Sequence, residues 1–221
     1  MKAKTIIVTC FLVICSMLST ALDNKEKNKD EAVYSTVKIG SQEWMSENLN
    51  VSTFRNGDPI QEARTDQEWI QAGAKKQPAW CYYSSSTENG TTYGKLYNWY
   101  AVIDPRGLSP EGWHIPSDIE WNELEKYLGA NEIGKKIKSS SGWENDGNGI
   151  NESKFNGLPG GYRYNSDGSF NNKGDYGYWW SSTGNLSNDA WYRVLSCFDS
   201  KIGRYAGNKR TGFSVRCIKN S

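Results

Sequence analysis

The chain has 221 residues, and its 26 lysines and arginines against 25 acids give a formal net charge of +1. That length has room for one sizeable domain with a buried core. The near-neutral balance, without any basic stripe, argues against nucleic acid as a partner, because phosphate binding needs clustered cationic side chains.

The first 21 residues follow the pattern of a secretory signal peptide. Lys2 and Lys4 precede an apolar run that ends in small residues at Ala21, where a signal peptidase would cut. We therefore expect residues 1–21 to be removed on export. Losing two lysines and no acid changes the formal net charge from +1 to −1.

Two alternatives to cleavage after Ala21 are weaker. A membrane anchor would need a longer apolar run than this one. Lipid attachment at Cys15 is the other alternative, although Ile14 stands where a small residue usually precedes such a cysteine. In each case the chain acts outside the cytoplasm, as a secreted or surface-attached protein, and a lipid would be its only tie to a membrane.

Residues 22–33, which include the alternating charges of NKEKNKDE, are typical of a polar tether. The domain that follows, residues 34–221, begins with TVKIGSQEWM. Its apolar residues alternate on both sides of Gly40 and Ser41, which predicts a hairpin with a tight turn at these two residues.

Two helices are indicated by capping boxes, in which a hydroxyl residue is followed three positions later by glutamate. The first begins at Thr65 and ends near Gly73, and the second begins at Ser117 and ends at Gly129. Trp121 falls on the apolar face of the second helix, so we expect it in the core.

Residues 139–187 are rich in glycine, asparagine and serine but carry aromatic residues at intervals. Such aromatic content favours a long ordered loop region over a disordered one. Three alternating segments follow at 190–198, 202–206 and 213–218, which predict strands joined by short turns. The fold class is therefore α+β, with a mostly antiparallel sheet and two main helices.

The stretch GYWWSST within the loop region raises the question of a binding platform. Strand periodicity sends Trp179 and Trp180 to opposite faces. We expect Trp180 to lie on the loop side and Trp179 to be buried, so that alanine costs less stability at Trp180. A ligand groove, if one exists, would then be lined by Trp180, Tyr162, Arg163 and Asn185.

Four oxygen-bearing residues cluster in the loop region and suit calcium chemically: Asp146, Asn148, Asn151 and Glu152. Their spacing fits no EF-hand, and asparagine and glycine are also ordinary turn residues. A plain loop is therefore the favoured interpretation, with calcium as the weaker one. No other cofactor is indicated.

Catalytic chemistry has little support in the sequence. The single histidine, His114, has no nucleophile or carboxylate marked nearby as a partner, so a structural role is favoured. The mature chain keeps Cys81, Cys197 and Cys217, none in a CxxC motif. An odd number allows at most one internal disulfide, and the sequence leaves the pairing open.

Six phrases occur in the following order along the chain: IGSQEWMSENLN (39–50), YGKLYNWYAV (93–102), GWHIPSDIEW (112–121), LPGGYR (158–163), GYWWSST (177–183) and GFSVRC (212–217). Together they resemble the phrases of the Fibrobacter succinogenes major paralogous domain, a family of bacterial surface proteins and lipoproteins. The resemblance implies a C-type lectin-like fold, shared with formylglycine-generating enzymes, and a family without an established activity. Cys81 and Cys217 match family positions, whereas Ser109 replaces a frequent cysteine and Cys197 is additional, so an inherited disulfide is in doubt.

These observations favour a non-catalytic binding or structural module with a glycan as the leading ligand. One alternative is an enzyme related to the formylglycine-generating kind, with Cys197 and Cys217 as its reactive pair. Their strand-like surroundings lack a base or helix N-terminus that would lower a thiol pKa. The other alternative is an adhesin or scaffold subunit that binds a surface protein.

Overall fold

The structure is a computed structural model that describes residues 34–129 and 131–221. The expected signal peptide, Cys15 and the tether at 22–33 lie outside the described residues. In the part that is described, none of the helices has the length and apolar character needed to cross a bilayer.

The described residues form twelve strands and five α-helices. The helices are α1 (Asp66–Ala74), α2 (Thr87–Tyr93), α3 (Trp99–Val102), α4 (Asp118–Leu128) and α5 (Ile133–Ile137). The strands are β1 (Thr36–Ile39), β2 (Gln42–Met45), β3 (Gln61–Glu62), β4 (Ala79–Cys81), β5 (Leu96–Tyr97), β6 (Trp113–His114), β7 (Gly160–Arg163), β8 (Phe170–Lys173), β9 (Tyr176–Gly184), β10 (Asp189–Ser196), β11 (Ile202–Asn208) and β12 (Ile218–Lys219).

These strands are arranged in three sheets, with the orders β1-β2-β12-β6, β11-β10-β9-β7-β8 and β3-β4-β5. Most pairings are antiparallel, and the exceptions are β3 with β4 and β7 with β9. The predicted hairpin is β1 and β2, whose register closes at Ile39 opposite Gln42. The α+β class with mostly antiparallel pairing is therefore as the sequence predicts.

Both predicted helices are present with the caps that the sequence indicates. Thr65 precedes α1 and Ser117 precedes α4, and each side chain accepts from the amide of the glutamate three residues later. That glutamate accepts in return from the cap backbone. The short helices α2, α3 and α5 were not predicted, because so few turns show no periodicity.

The prediction of a third strand over residues 213–218 is largely wrong. Only its end belongs to a strand, β12, while Phe213 bridges to Tyr97 and Ser214 bridges to Trp179. Residues 211–218 are buried throughout. This segment therefore runs between layers, and its apolar character reflects burial on both sides, not simple alternation.

The main core lies between α4 and the inner face of the five-stranded sheet. Trp121 on α4 is fully buried, as predicted, with its ring centroid 4.9 Å from that of Trp44. Phe155 of the loop region packs at 5.9 Å from Trp179 of β9. Because these large rings join helix, sheet and loop, the loop region is ordered by burial of its own aromatic residue.

Candidate functional site

Trp179 and Trp180 occupy opposite faces of β9, as the strand period predicts, but both rings are buried. Trp179 is 1% exposed and donates from Nε1 to Asn48 Oδ1 at 2.8 Å. Trp180 is 0% exposed and donates from Nε1 to the Tyr97 carbonyl oxygen at 2.9 Å. The two tryptophans of GYWWSST therefore both belong to the core.

The expectation that Trp180 faces a ligand groove is wrong. Phe213, in the buried C-terminal segment, covers the Trp180 ring at a centroid distance of 4.5 Å. The ring beside the loop region is Trp179, through Phe155. The loop-side ring is Trp179 instead of Trp180 because the C-terminal segment crosses the Trp180 side of the sheet. The sequence alone does not reveal this crossing.

Arg163 is also wrong as a ligand-binding residue, since its side chain is fully buried. Its guanidinium donates to the carbonyl oxygens of Ala63 at 2.7 Å and Gly168 at 2.9 Å. It also donates to the Asp66 carboxylate at 3.0 Å. Arg163 thus braces the loop region against the start of α1, the structural role that the sequence also allowed.

The other two proposed groove residues lie at different places. Asn185 is exposed in the turn between β9 and β10, where its amide donates to the Asp189 carbonyl oxygen. Tyr162 is half-buried on β7 and packs at 5.2 Å from Tyr178 of β9. The structure therefore does not form the predicted groove of four residues, but it places Tyr162 in a larger aromatic surface.

That surface covers the outer face of the five-stranded sheet. Cross-strand register sets Tyr192 of β10 opposite Trp180 of β9, and Tyr205 of β11 opposite Tyr192. Residues paired in this way project from the same face. The surface, here named the tyrosine face, consists of Tyr162, Tyr164, Tyr176, Tyr178, Tyr192 and Tyr205.

The rings of the tyrosine face touch in an unbroken row across four strands. Centroid distances are 5.2 Å from Tyr162 to Tyr178, 6.0 Å from Tyr178 to Tyr192 and 6.1 Å from Tyr192 to Tyr205. Phe213 lies beneath the row, parallel to Tyr178 at 5.0 Å. The row is thus a fixed platform, because its middle members pack on a buried ring.

Both ends of the row are open to solvent. Tyr164 is 41% exposed, and Tyr205 is 57% exposed. Phe198, which packs at 6.0 Å from Tyr176, is 65% exposed and extends the apolar surface. Exposed aromatic rings arranged contiguously on a rigid sheet are typical of a binding surface.

The hydroxyl groups of Tyr162, Tyr178 and Tyr192 stay protonated at physiological pH. Burial raises the pKa of Tyr162, Tyr178 and Tyr192, and neighbouring tyrosines raise each pKa further. Asn172 donates from Nδ2 to the Tyr178 hydroxyl at 2.9 Å. The face therefore offers neutral groups that both donate and accept, with Asp167 as a carboxylate close enough to affect Tyr162.

A cleft of about 290 Å³ lies elsewhere, beside α5 and the turn between β10 and β11. It is lined by Lys135, Lys138, Asp146, Gly147, Asn148, Cys197, Phe198, Asp199 and Ser200. Lys138 is buried and donates from Nζ to the carbonyl oxygens of Ser196 at 2.9 Å and Asp199 at 3.0 Å. This lysine therefore ties the cleft wall together.

The four candidate calcium ligands are divided by the structure. Asp146 and Asn148 line the cleft, and Asn148 Oδ1 accepts from the Trp143 amide at 3.1 Å. Asn151 Oδ1 accepts from the Asn156 amide at 2.9 Å, and Glu152 is exposed. Two amide oxygens thus stabilise the loop itself. Within the described residues no three His, Cys, Asp or Glu side chains form a metal-binding group.

All three described cysteines are free and buried, so the structure contains no disulfide among Cys81, Cys197 and Cys217. Burial raises the pKa of Cys81 and of Cys217 to about 12. Cys197 donates from Sγ to Asp175 Oδ1 at 3.4 Å, and burial together with this carboxylate raises its pKa. A high thiol pKa opposes nucleophilic chemistry, because the thiolate is the reactive form.

We expect the native chain from residue 22 onward to resist Ellman's reagent at pH 8, with all three thiols reacting after unfolding in guanidinium. The reason is the burial of each thiol and its raised pKa. Cys197, which lines the cleft, should be the first to react as denaturant is added. Rapid labelling of Cys197 or Cys217 in the native fold would contradict this and favour the enzyme alternative.

His114 has a structural role in this fold. Its Nδ1 lies 2.7 Å from Asn220 Oδ1, and its Nε2 lies 2.8 Å from Glu120 Oε1. Both ring nitrogens are therefore used to join β6 to the start of α4 and to the C-terminal residues.

Sequence reasoning missed most of the tyrosine face. Tyr176, Tyr178 and Trp180 lie two residues apart along β9, so the two-residue period of a strand could have shown that they share one face of the sheet. Tyr192 and Tyr205 join them only through strand pairing. That pairing order was the information needed to find the row.

Comparisons with known proteins agree with the resemblance seen in the sequence. A search of curated proteins finds no match, and a search of solved structures finds none either. The model of one family, described as the Fibrobacter succinogenes major domain, matches residues 37–219. This match spans β1 to β12 and includes all six phrases that carry the resemblance. The chain therefore belongs to the Fibrobacter succinogenes major domain family.

Proposed function

We propose that the chain is a secreted or surface-attached, non-catalytic binding module whose tyrosine face holds a neutral glycan. The observation that carries this proposal is the unbroken row from Tyr162 through Tyr178 and Tyr192 to Tyr205. A contiguous row on a sheet can contact several sugar units of an extended chain.

The chemistry of the face suits sugars in two respects. Aromatic rings pack against the C–H-rich faces of pyranoses, and hydroxyl and amide groups bond the sugar hydroxyls. The tyrosine hydroxyls and Asn172 supply such groups without a formal charge. Asp167 near Tyr162 disfavours sulfated or uronic acid sugars, because like charges repel.

Location and architecture complete the proposal. The signal-peptide pattern at residues 1–21 supports a location outside the cytoplasm, where glycans are abundant. The mixed sheets with few helices are compatible with a C-type lectin-like fold, and the family resemblance suggests it. In this proposal the glycan contacts the face of a sheet, without calcium.

The enzyme alternative receives less support from the geometry. Cys217 is fully buried, and Cys197 is hydrogen-bonded to a carboxylate. His114 uses both ring nitrogens in structural hydrogen bonds. A nucleophile with an available base is the minimum for covalent catalysis, and these residues do not supply one.

The proposal is tested by a glycan array probed with the chain from residue 22 onward. We expect binding to neutral glycans, with no comparable binding to sulfated or uronic acid glycans. Replacing Tyr205 or Tyr164 by alanine should weaken the affinity for a bound glycan about fivefold each, since each loses a stacking contact of about 1 kcal/mol. Both side chains are exposed, so the fold should tolerate the change.

Tyr127→Ala is the matched control. Tyr127 is 66% exposed on α4 and does not belong to the tyrosine face. Its replacement removes a similar ring from the surface and should leave glycan affinity unchanged. Equal weakening by Tyr127→Ala and Tyr205→Ala, or a preference for anionic glycans, would contradict the proposal.

A further inference from the structure

Strand β11 is the outermost strand of the five-stranded sheet. It pairs with β10 in unbroken antiparallel register, from Ile202 opposite Leu195 to Asn208 opposite Asp189. Within residues 34–129 and 131–221, no strand pairs with its other side. Its middle residues Arg204, Tyr205 and Ala206 are exposed. One edge of β11 therefore faces solvent.

The backbone groups on that edge can be identified from neighbouring hydrogen bonds. The amide of Lys209 donates to the carbonyl oxygen of Asn188 at 2.9 Å, next to the first pair of the β10–β11 register. Hydrogen-bonded and non-bonded pairs alternate along an antiparallel ladder. Residues 203, 205 and 207 therefore bond to β10, and residues 202, 204 and 206 point their amides and carbonyls outward.

The pairing on the other side of β10, with β9, leads to the same assignment of paired and unpaired backbone groups. The amide of Cys197 donates to the carbonyl oxygen of Asp175, at the other end of the pairing between β10 and β9. Odd-numbered residues of β10 therefore bond to β9, and even-numbered ones, such as Tyr192 and Val194, bond to β11. Two independent hydrogen bonds thus agree on which groups of β11 are unpaired.

The edge lacks the features that commonly protect exposed strands. Residues 202–208 contain no proline and no lysine, and their register has no bulge. Arg204 does not block the edge, since its guanidinium lies 3.5 Å from the Trp191 ring centroid and bonds to Asp118. The side chain is thus held down on the sheet.

The charged residues directly next to β11 in sequence are basic, and the nearest acid before them, Asp199, accepts a hydrogen bond from the Lys201 amide. Lys201 precedes the strand, Lys209 and Arg210 follow it, and residues 201–221 contain no aspartate or glutamate. In an antiparallel pairing of two copies, these basic ends would lie opposite each other and repel. A strand with carboxylates at its ends would instead be attracted.

We propose that the free edge of β11 binds an extended segment of a partner protein by strand addition, and that this segment carries acidic residues at both ends. The outward amides and carbonyls of residues 202, 204 and 206 supply the main-chain hydrogen bonds. The exposed side chains of Lys201 and Arg210 select the acidic ends. This interaction does not depend on glycan binding by the tyrosine face.

The test uses two synthetic peptides with the same Thr-Val repeat, one ended by glutamates and one by lysines. The chain from residue 22 onward should bind the glutamate-ended peptide at least about tenfold more tightly, a preference that salt weakens. Hydrogen exchange measured by NMR should slow at the amides of residues 202, 204 and 206. The amides of residues 203 and 205, already bonded to β10, should change little.

Two variants separate strand addition from a general loss of structure. Ala206→Pro removes an outward amide that makes no bond in the free chain, and edge strands tolerate proline, so binding should be lost while folding is retained. Ala206→Val keeps the amide and should bind normally. Lys201→Glu, at an exposed position, should reduce the preference for the glutamate-ended peptide.

Three outcomes would overturn the proposal. The first is equal binding of the two peptides. The second is unchanged exchange at residues 202, 204 and 206 when the glutamate-ended peptide is bound. The third is a concentration-dependent dimer that protects the same amides and is lost in Ala206→Pro, because the occupant of the edge would then be a second copy of the chain.

Discussion

Replacing Asp118 by alanine is expected to lower the free energy of unfolding by about 3 kcal/mol, because the buried Arg193 loses one of its two carboxylate partners and Arg204 loses its carboxylate partner. Asp118 Oδ1 accepts from Arg193 Nη1 at 2.8 Å, and Oδ2 accepts from Arg204 Nη2 at 2.8 Å. Arg193 is 0% exposed and keeps only Glu125 and Asn122 as side-chain partners. Guanidinium-induced unfolding measures the loss.

The matched control is Asp66→Ala at the start of α1. Asp66 also pairs with a buried arginine, Arg163, at 3.0 Å, but its own side chain is 64% exposed. Arg163 retains the carbonyl oxygens of Ala63 and Gly168 as acceptors. The loss of stability should therefore stay below about 1 kcal/mol. Equal losses in the two variants would contradict the special role of Asp118.

The stabilisation by Asp118 should also depend on pH. Burial alone would raise the pKa of Asp118, but hydrogen bonds from Arg204 and Arg193 outweigh it and hold the pKa below its usual range. Since the folded-state pKa of Asp118 is depressed, its contribution to the free energy of unfolding is fully present above the unfolded-state pKa of about 3.9. That contribution is lost as the pH falls through the lower folded-state pKa. The difference between wild type and Asp118→Ala should shrink below about pH 4.

The second large effect is expected at the paired tryptophans. Trp179→Ala and Trp180→Ala should each lower the free energy of unfolding by about 3 to 5 kcal/mol, the range for deleting a buried aromatic ring. Both rings are buried, and each change also removes an indole hydrogen bond, to Asn48 Oδ1 or to the Tyr97 carbonyl oxygen. The structure gives no reason for the smaller loss at Trp180 that the sequence suggested.

Trp191→Ala is the comparison for these variants, since Trp191 is only half-buried on β10. Replacing Trp191 should lower the free energy of unfolding clearly less than replacing Trp179 or Trp180, although it removes the ring under Arg204. Chemical denaturation of the three variants under one set of conditions gives the ranking. A Trp180→Ala variant as stable as wild type would show that its ring is not part of the core.

Local signals in the sequence predicted much of the fold. The capping boxes at Thr65 and Ser117 and the turn at Gly40 act within a few residues, so no tertiary information was needed to locate them. The segment at 213–218 was misassigned because alternating apolar residues indicate an extended chain without naming its partner. Its partners, Tyr97 and Trp179, are distant in sequence.

The candidate site was predicted less well for the same physical reason. Strand period placed Trp179 and Trp180 on opposite faces, but burial depends on what covers each face. Phe213 covers the Trp180 end of the outer face and leaves the ring of Tyr205 exposed. A binding surface assembled from four strands thus becomes visible only when the order of those strands is known.

The central claim, that the tyrosine face is the ligand surface, is tested most directly by NMR. Chain labelled with ¹³C in its tyrosine rings is titrated with a neutral glycan from the array, after assignment of the ring signals by substitution. We expect ligand-induced shifts at Tyr162, Tyr164, Tyr178, Tyr192 and Tyr205, and none at Tyr127. Shifts that spare these rings while the glycan binds, or the absence of any neutral glycan that binds, would contradict the account.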